Sequence, residues 1–335
     1  MVLVIGVDAG GTSTRAALAD DRGRVLSYAR SGAGNPTSAG PDVAVGHIVE
    51  ACVAAVSSAR AEPDLVMVTL AGGGAFDVAG AVREQLGAAG VTADVRSDGD
   101  VLSAYFSATA EADGYLVLSG TGATAARVEG GSLTLVCDGT GWLVGDGGSG
   151  FWIGREVVRA VAADLDARGP RTSLTTAVLA ELERDPAPEL PGVPHPALRT
   201  REMWALMRRV YDRRPVEVAS FAPLALAAAE AGDEVARRIL DEALAELLAT
   251  CDATVRDDGR PVVLAGGLLH DDSPLGRGIR ARHGDRCRRA HEGTAGAVML
   301  ALRSIGGSPD ESTREQVLTS LETARTGAGT TAGGA

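Results

Sequence analysis

Apolar and polar positions along the chain run through the same pattern twice. The first round opens with an apolar run, Val2–Asp8, closed by a Gly-rich turn at Ala9–Thr12. A second run, Thr14–Ala19, is followed by a turn at Asp20–Gly23 and a third run, Arg24–Ala29. Short runs bounded by Gly and Asp in this way predict a strand meander. Spacing near 3.6 then predicts a helix over Asp42–Ala59, with a strand at Leu65–Leu70, a short helix at Val78–Leu86 and a strand at Val91–Arg96. The order β-β-β-α-β-α-β predicts a mixed sheet with helices on its faces.

The second round begins near Gly114. Tyr115–Leu118, the turn Gly120-Thr121-Gly122, Thr124–Val128, the turn Gly130-Gly131 and Ser132–Val136 repeat the meander. GVDAGGTSTRAAL, from Gly6, also parallels LSGTGATAARVE, from Leu118. The repeated order of elements argues for an internal duplication. After Gly150 the pattern turns helical, over Phe151–Arg168, Ser173–Arg184, Glu202–Tyr211, Val218–Ala231 and Asp233–Arg256. Asp185–Pro196, with five prolines, reads as a surface loop. Val262–Leu264 reads as a strand and Gly293–Arg303 as a core helix. Ser312–Ala324 reads as a peripheral helix, and Thr326–Ala335, only Gly, Thr and Ala, as a disordered tail. The expected division is a first lobe at 1–112, a second at 113–305 with a helical insertion about 151–257, and a peripheral segment at 306–335.

Composition narrows the function. The 335 residues, 45% hydrophobic, are enough for about two lobes, and a net charge of −12 argues against a nucleic-acid or anionic-membrane partner. All 32 positive residues are arginine. Without lysine there is no Walker-A Gly-Lys-Ser/Thr step and no Schiff-base chemistry. Cys52, Cys137, Cys251 and Cys287 are far apart and form no CxxC pair, so reduced, mostly buried thiols are expected. No GxSxG occurs, and His47, His195, His270, His283 and His291 have no spaced partners, so they read as solvent or core side chains. The N-terminus lacks a basic segment followed by a long apolar one, and no stretch approaches eighteen uncharged apolar residues. A cytoplasmic protein with no membrane span is therefore expected.

Four glycine-rich blocks carry the candidate chemistry. In Asp8-Ala9-Gly10-Gly11-Thr12-Ser13-Thr14, an acid at a strand end precedes two glycines and three hydroxyls. Such a hairpin can wrap phosphate with backbone N–H groups, while Asp8 holds Mg²⁺ through water. A plain Gly-rich hairpin is the simpler alternative. Ser119-Gly120-Thr121-Gly122 repeats the design, and two such hairpins can clamp a polyphosphate. Leu264-Ala265-Gly266-Gly267-Leu268 can let an adenosine lie against the backbone, or can be an ordinary strand-to-helix turn. The stretch Gly139–Gly150, running into Phe151-Trp152-Ile153-Gly154-Arg155, embeds Trp142 and Asp146 among glycines, as a binding loop at a lobe junction does.

The motifs GVDAGGTST, SDGD, LSGTGA, GDGGSGFWIGR and LAGGL, in this order, resemble the N-acetylglucosamine kinases among the BadF/BadG/BcrA-type ATPases of the sugar-kinase/Hsp70/actin superfamily. The resemblance runs from about Val4 to Leu302. It implies two actin-like, ribonuclease-H-like lobes closing over a sugar, with ATP and Mg²⁺ in the interlobe cleft. By matching motif, Gly10, Gly11, Thr12, Ser13, Thr121, Gly122, Gly266 and Gly267 would hold the nucleotide, and Asp8 the metal. Asn35, Asp98, Gly120, Thr140 and Asp146 would face the sugar. Asp98 would be the catalytic base for the 6-hydroxyl, unless it caps the helix starting near Asp100, with Asp100 as its rival. Two departures fall on the sugar side, because Gly147 replaces a usual glutamate and Thr140 a frequent tryptophan.

The resemblance puts N-acetylglucosamine first, glucosamine and N-acetylmuramic acid next, then glucose, and leans toward a homodimer. Two other classes remain. One is an ATPase coupling hydrolysis to electron transfer through an iron–sulfur cluster, for which the cysteines are badly placed. The other is a catalytically weak sugar sensor.

Overall fold

The computed structural model describes residues 1–71, 76–184 and 199–331. Strands β1 (Leu3–Ala9), β2 (Thr14–Asp20) and β3 (Val25–Ser31) form the expected meander, and β4 (Leu65–Leu70) and β5 (Asp94–Gly99) extend the sheet on the other side of β1. The order is β3-β2-β1-β4-β5, antiparallel in the meander and parallel beyond it. A second sheet holds β6 (Gly114–Ser119), β7 (Ala123–Glu129), β8 (Ser132–Asp138), β9 (Val262–Ala265) and β10 (Cys287–Arg289), in the order β10-β9-β6-β7-β8. Read from its other edge, this is the topology of the first sheet, and the duplication visible in the motifs extends to the strand order. β1 and β4 are buried almost end to end, as central strands must be, whereas β8 alternates exposed and half-buried positions at a sheet edge.

In chain order the helices are α1 (Pro36–Ala39), α2 (Pro41–Ala59), α3 (Val78–Ala88), α4 (Asp100–Ala108), α5 (Gly150–Leu165), α6 (Leu174–Arg184), α7 (Arg201–Tyr211), α8 (Ala222–Glu230), α9 (Glu234–Thr254), α10 (Pro274–His283), α11 (Gly293–Ser304) and α12 (Glu311–Thr331). The helix expected at Val218–Ala231 divides into a 3₁₀ turn at Pro215–Phe221 and α8. Pro223 is the reason, since proline fits the first turn of a helix and not its interior. The fifth strand begins and ends three residues later than its expected Val91–Arg96, which brings Asp98 inside it.

Helix α2, 19 residues long, passes for a membrane span by length and mean hydropathy, 1.4, but Asp42 and Glu50 interrupt it, so it is no run of eighteen uncharged apolar residues. It lies on the sheet instead, burying Val45, Ile48, Cys52 and Ala55 against β2 and β3. The proline-rich loop expected at residues 185–196 lies outside the described residues. The chain end differs from expectation. α12 continues to Thr331 through Thr326 and Gly327, because extending an existing helix costs little per residue. Its Val317 and Leu321 are buried in the same cluster as Val25, and the Val25 amide donates to Ser320 Oγ at 2.9 Å.

Helices α4 and α11 cross at the junction of the two halves. A Cβ on Gly296 would lie 1.7 Å from the Ser103 carbonyl oxygen, and one on Gly6 would lie 2.3 Å from the Val298 nitrogen. The backbones meet there with no room for a side chain. Cys52, Cys251 and Cys287 are buried free thiols, and burial pushes those of Cys52 and Cys251 up to about 12. They are inert packing groups at neutral pH.

Asp233 ties two helices of the second half together. It caps α9 through the Ala236 amide at 2.9 Å and also accepts from Thr172 Oγ1, Ser173 N and Ser173 Oγ at 2.9, 2.7 and 2.8 Å. Burial raises its carboxyl, but these donors outweigh that and hold it at about 2. A depressed folded pKa stabilises the protein at neutral pH, and this contribution is lost as pH falls from about 4 through about 2. Asp233→Ala is expected to cost about 1–2 kcal/mol in urea unfolding at pH 7, and much less at pH 2.5.

Candidate active site

The two glycine turns occupy equivalent places in the two sheets. In the first, between β1 and β2, the Gly10 amide donates to the Ser13 carbonyl at 3.0 Å, leaving Gly11 and Thr12 exposed at the tip and Ser13 buried. The Gly10 carbonyl accepts from the amides of Gly34 and Asn35 at 3.0 and 3.2 Å, which pins the loop after β3 to the turn. Asn35 Oδ1 then accepts from the Thr37 amide at 2.8 Å, capping α1, and its Nδ2 donates to the Ala71 carbonyl at 3.2 Å.

In the second turn, between β6 and β7, the Gly120 amide donates to the Gly122 carbonyl at 2.9 Å. The Gly150 and Phe151 amides reach back to the carbonyls of Gly120 and Thr121 at 2.7 and 3.1 Å, so the start of α5 is built onto this turn. Asp146, buried and left-handed with φ 58°, presses its carboxylate against the same turn, where Oδ1 accepts from the Ala123 amide at 3.4 Å. Burial raises its carboxyl above 3.8, the Ala123 amide opposes the rise and Asp138 adds to it. Asp138 in turn accepts from the amides of Asp146 and Gly147 at 2.7 and 2.9 Å, which fixes the loop's path. Gly266, at φ 92°, packs on the same spot, since a Cβ there would lie 2.1 Å from the Ser119 carbonyl.

Between the halves lies a cavity of about 590 Å³. The first half contributes Asp8, Asp100 and Ser103, and the second contributes Gly266, Gly267 and an apolar wall that includes Leu118, Leu264 and Leu269. His270, Arg289 and His291 also line it, a correction to the reading of the histidines as mere solvent or core groups. A lone histidine carries no spacing signal by which a sequence could place it. Burial and the positive charges of Arg314 and Arg289 lower the His291 pKa and keep the ring neutral at pH 7.

Asp8 meets Arg15 at 3.2 Å, and Arg15 also lies 3.6 Å from Glu292 at the start of α11. Neither Arg15 nor Glu292 was legible as a site residue, one in an unremarkable strand and the other in a turn. Burial raises the Asp8 carboxyl, Arg15 opposes the rise, and Asp100 and Glu292 reinforce it. Burial likewise raises Asp100.

Asp98 shares a row with Asp8. The parallel registers Asp8↔Thr69 and Thr69↔Asp98 set the three residues side by side at the carboxyl ends of β1, β4 and β5. Two strand spacings separate the Asp8 and Asp98 Cα atoms by roughly 10 Å. Asp98 Oδ1 accepts from the Gly99 amide at 2.7 Å, while the cap position of α4 is Gly99, with no side-chain cap. The capping alternative for Asp98 therefore finds no hydrogen bond to the helix. Neighbouring protein raises its carboxyl above 3.8, against the pull of the Gly99 amide, although its side chain remains open to solvent.

Asp8, Gly266 and Gly267 thus share the interlobe cavity, and Gly120, Thr121, Gly122 and Asp146 form one cluster beside it. Asn35 and Asp98 lie at the first turn and the strand ends, outside the cavity lining. Thr140 lines a separate recess of about 340 Å³ at the glycine-rich loop.

Three relatives place this architecture. Over 330 residues the chain is 28% identical to N-acetyl-D-glucosamine kinase of Dictyostelium discoideum, covering 90% of this chain and 98% of that one. It is also 28% identical over 186 residues to glucosamine kinase GspK of Vibrio cholerae, covering 54% of this chain and 62% of that one. The crystal structure of a provisionally named N-acetylglucosamine kinase of Chromobacterium violaceum superimposes with a TM-score of 0.70 at 26% identity, over 90% of this chain and 99% of that one. The fold is the two-lobed actin-like ATPase fold. The family model for BadF/BadG/BcrA/BcrD ATPases matches residues 5–301, nearly the whole chain, and the protein belongs to that family.

Proposed function

We propose that the protein is an ATP-dependent kinase that phosphorylates the 6-hydroxyl of an amino sugar, N-acetylglucosamine first among them. The observation that carries this reading is the row of Asp8 and Asp98 at the strand ends, beside paired glycine turns and an interlobe cavity with room for a nucleotide. The kinase relatives support it, and their names span N-acetylglucosamine and glucosamine.

In this reading the exposed tip of the first turn, Gly11 and Thr12, and Thr121-Gly122 present backbone amides and hydroxyls to the phosphates. Gly10 and Ser13 shape that tip through their own hydrogen bond, and the Gly266-Gly267 edge receives the adenosine. The sugar oxygen bonds to the γ-phosphorus as the bond to the β–γ bridging oxygen breaks. Asp98 takes the hydroxyl proton, and ADP leaves with the bridging oxygen. Asp98 need not be strongly basic for this, because the proton leaves late.

Asp8 and Asp100 fit a Mg²⁺ ion. Both are oxygen donors facing one cavity, and both are desolvated carboxylates whose ionised form a cation would favour. Among the described residues no group of three or more His, Cys, Asp or Glu could hold a metal by itself. That suits an ion taking its remaining ligands from phosphate and water. Mg²⁺, when bound there, neutralises phosphate charge.

ADP release by the purified protein with Mg-ATP, across N-acetylglucosamine, glucosamine, N-acetylmuramic acid and glucose, tests the reading. Sugar-dependent turnover is expected, fastest with N-acetylglucosamine. Release no faster with any sugar than without would overturn it.

A further inference from the structure

We infer that Glu246, on α9, is a specificity-determining residue that reads a hydrogen-bond donor of the sugar from the recess beside the glycine-rich loop. The inference rests on the kinase reading above and names a residue outside every motif in the chain.

The recess of about 340 Å³ is lined by Asp138, Thr140, Gly147, Trp152, Arg155 and Glu246, among others. The charged groups around it are not equally available. Both Asp138 oxygens are engaged by the amides of Asp146 and Gly147. Arg155 pairs with Glu156 at 3.0 Å, and its guanidinium carbon lies 5.9 Å from the centre of the Trp152 ring. Among the described residues the Glu246 carboxylate has no ion-pair or hydrogen-bond partner. It is the charged acceptor that the recess leaves for a ligand.

Its position follows from what Gly147 lacks. A Cβ at 147 would lie 3.1 Å from both Glu246 Cβ and Glu246 Oε2, so a side chain at 147 and the present Glu246 compete for one space. The carboxylate of Glu246 reaches from α9 into the space that a side chain at 147 would take. Gly147 lies between Asp146, which presses on the second glycine turn, and Gly148, so the recess is one residue away from the phosphate-side cluster. An unpaired carboxylate beside an indole can hold a pyranose, its C–H face on the ring and a hydroxyl, amide N–H or ammonium donated to the acid. A site built to pair such a donor rejects analogues that lack it.

The test compares wild type with Glu246→Ala, Glu246→Gln and the double variant Gly147→Glu/Glu246→Ala. In Glu246→Ala the KM for N-acetylglucosamine is expected to rise roughly tenfold or more, since a hydrogen bond to a charged group is lost. kcat and the KM for ATP should stay within about twofold, Glu246→Gln should fall between, and the double variant should recover much of the affinity. Glu246 is exposed on its helix, and unchanged thermal midpoints check that the variants fold. A sugar KM within twofold of wild type in Glu246→Ala overturns the inference while the kinase reading stands. Tryptophan-fluorescence titration with N-acetylglucosamine reads the recess without turnover. If wild type shows no sugar-dependent ADP release, weaker sugar binding by Glu246→Ala still supports the inference, and equal binding, or none by either protein, overturns it.

Discussion

Asp98→Asn is expected to lower kcat roughly 10²–10⁴-fold with little change in thermal stability, since the amide keeps the shape of the side chain but cannot take a proton. Initial rates of ADP release at saturating sugar and ATP measure this, and a melting curve is the control. The pH dependence has a definite sign. Asp98 must be ionised to act, and its carboxyl lies above the ordinary 3.8, so wild-type kcat/KM should fall on the acid side through a pKa above that value. The acid limb should vanish in Asp98→Asn. A variant retaining more than about a third of wild-type kcat would remove Asp98 as the base, and Asp100, which faces the cavity, would be the next to test.

Among the described glycines, Gly296→Ala is expected to be the most damaging single added methyl group. Its Cβ would sit 1.7 Å from the Ser103 carbonyl oxygen and 2.5 Å from the carbonyl carbon. Both are backbone atoms of a packed helix, so no side chain can swing aside and α4 and α11 must separate. Overpacking of this kind costs about 3 kcal/mol. Gly46→Ala, on the exposed face of α2 with nothing within 4 Å of the added Cβ, is the matched control. It should be neutral or stabilise by up to about 1 kcal/mol. Denaturant midpoints of the two variants should therefore move in opposite directions, or only that of Gly296→Ala should move. Equal midpoints would mean that the helix crossing tolerates opening.

The parts of this protein that a sequence spells out are those whose geometry demands particular residue types in a short stretch. Both meanders were readable because strand runs alternate with Gly and Asp turns, and the duplicated topology followed from that order. The glycine turns were readable as candidates for the same reason. Groups brought together by long-range folding were not readable. Arg15 looks like any polar position on a strand, and only the fold sets it beside Asp8 and Glu292. Glu246 sits in a helix full of acids, and only the fold sets it against Gly147. The shift of β5 shows the limit of pattern alone. Apolar residues end at Val95, yet the strand continues through Arg96, Ser97 and Asp98 because β4 supplies backbone partners to Gly99.

The chain crosses from the first sheet to the second through α4 and comes back through α11, and α12 ends on the sheet where the chain began. Two bodies joined by one strand of chain can reorient in any direction. Joined by two helices that meet backbone to backbone at Gly296 and Ser103, they are held against sliding or twisting at that contact. The two glycine turns, one on each body, are thereby held in one alignment by a contact that neither of them makes.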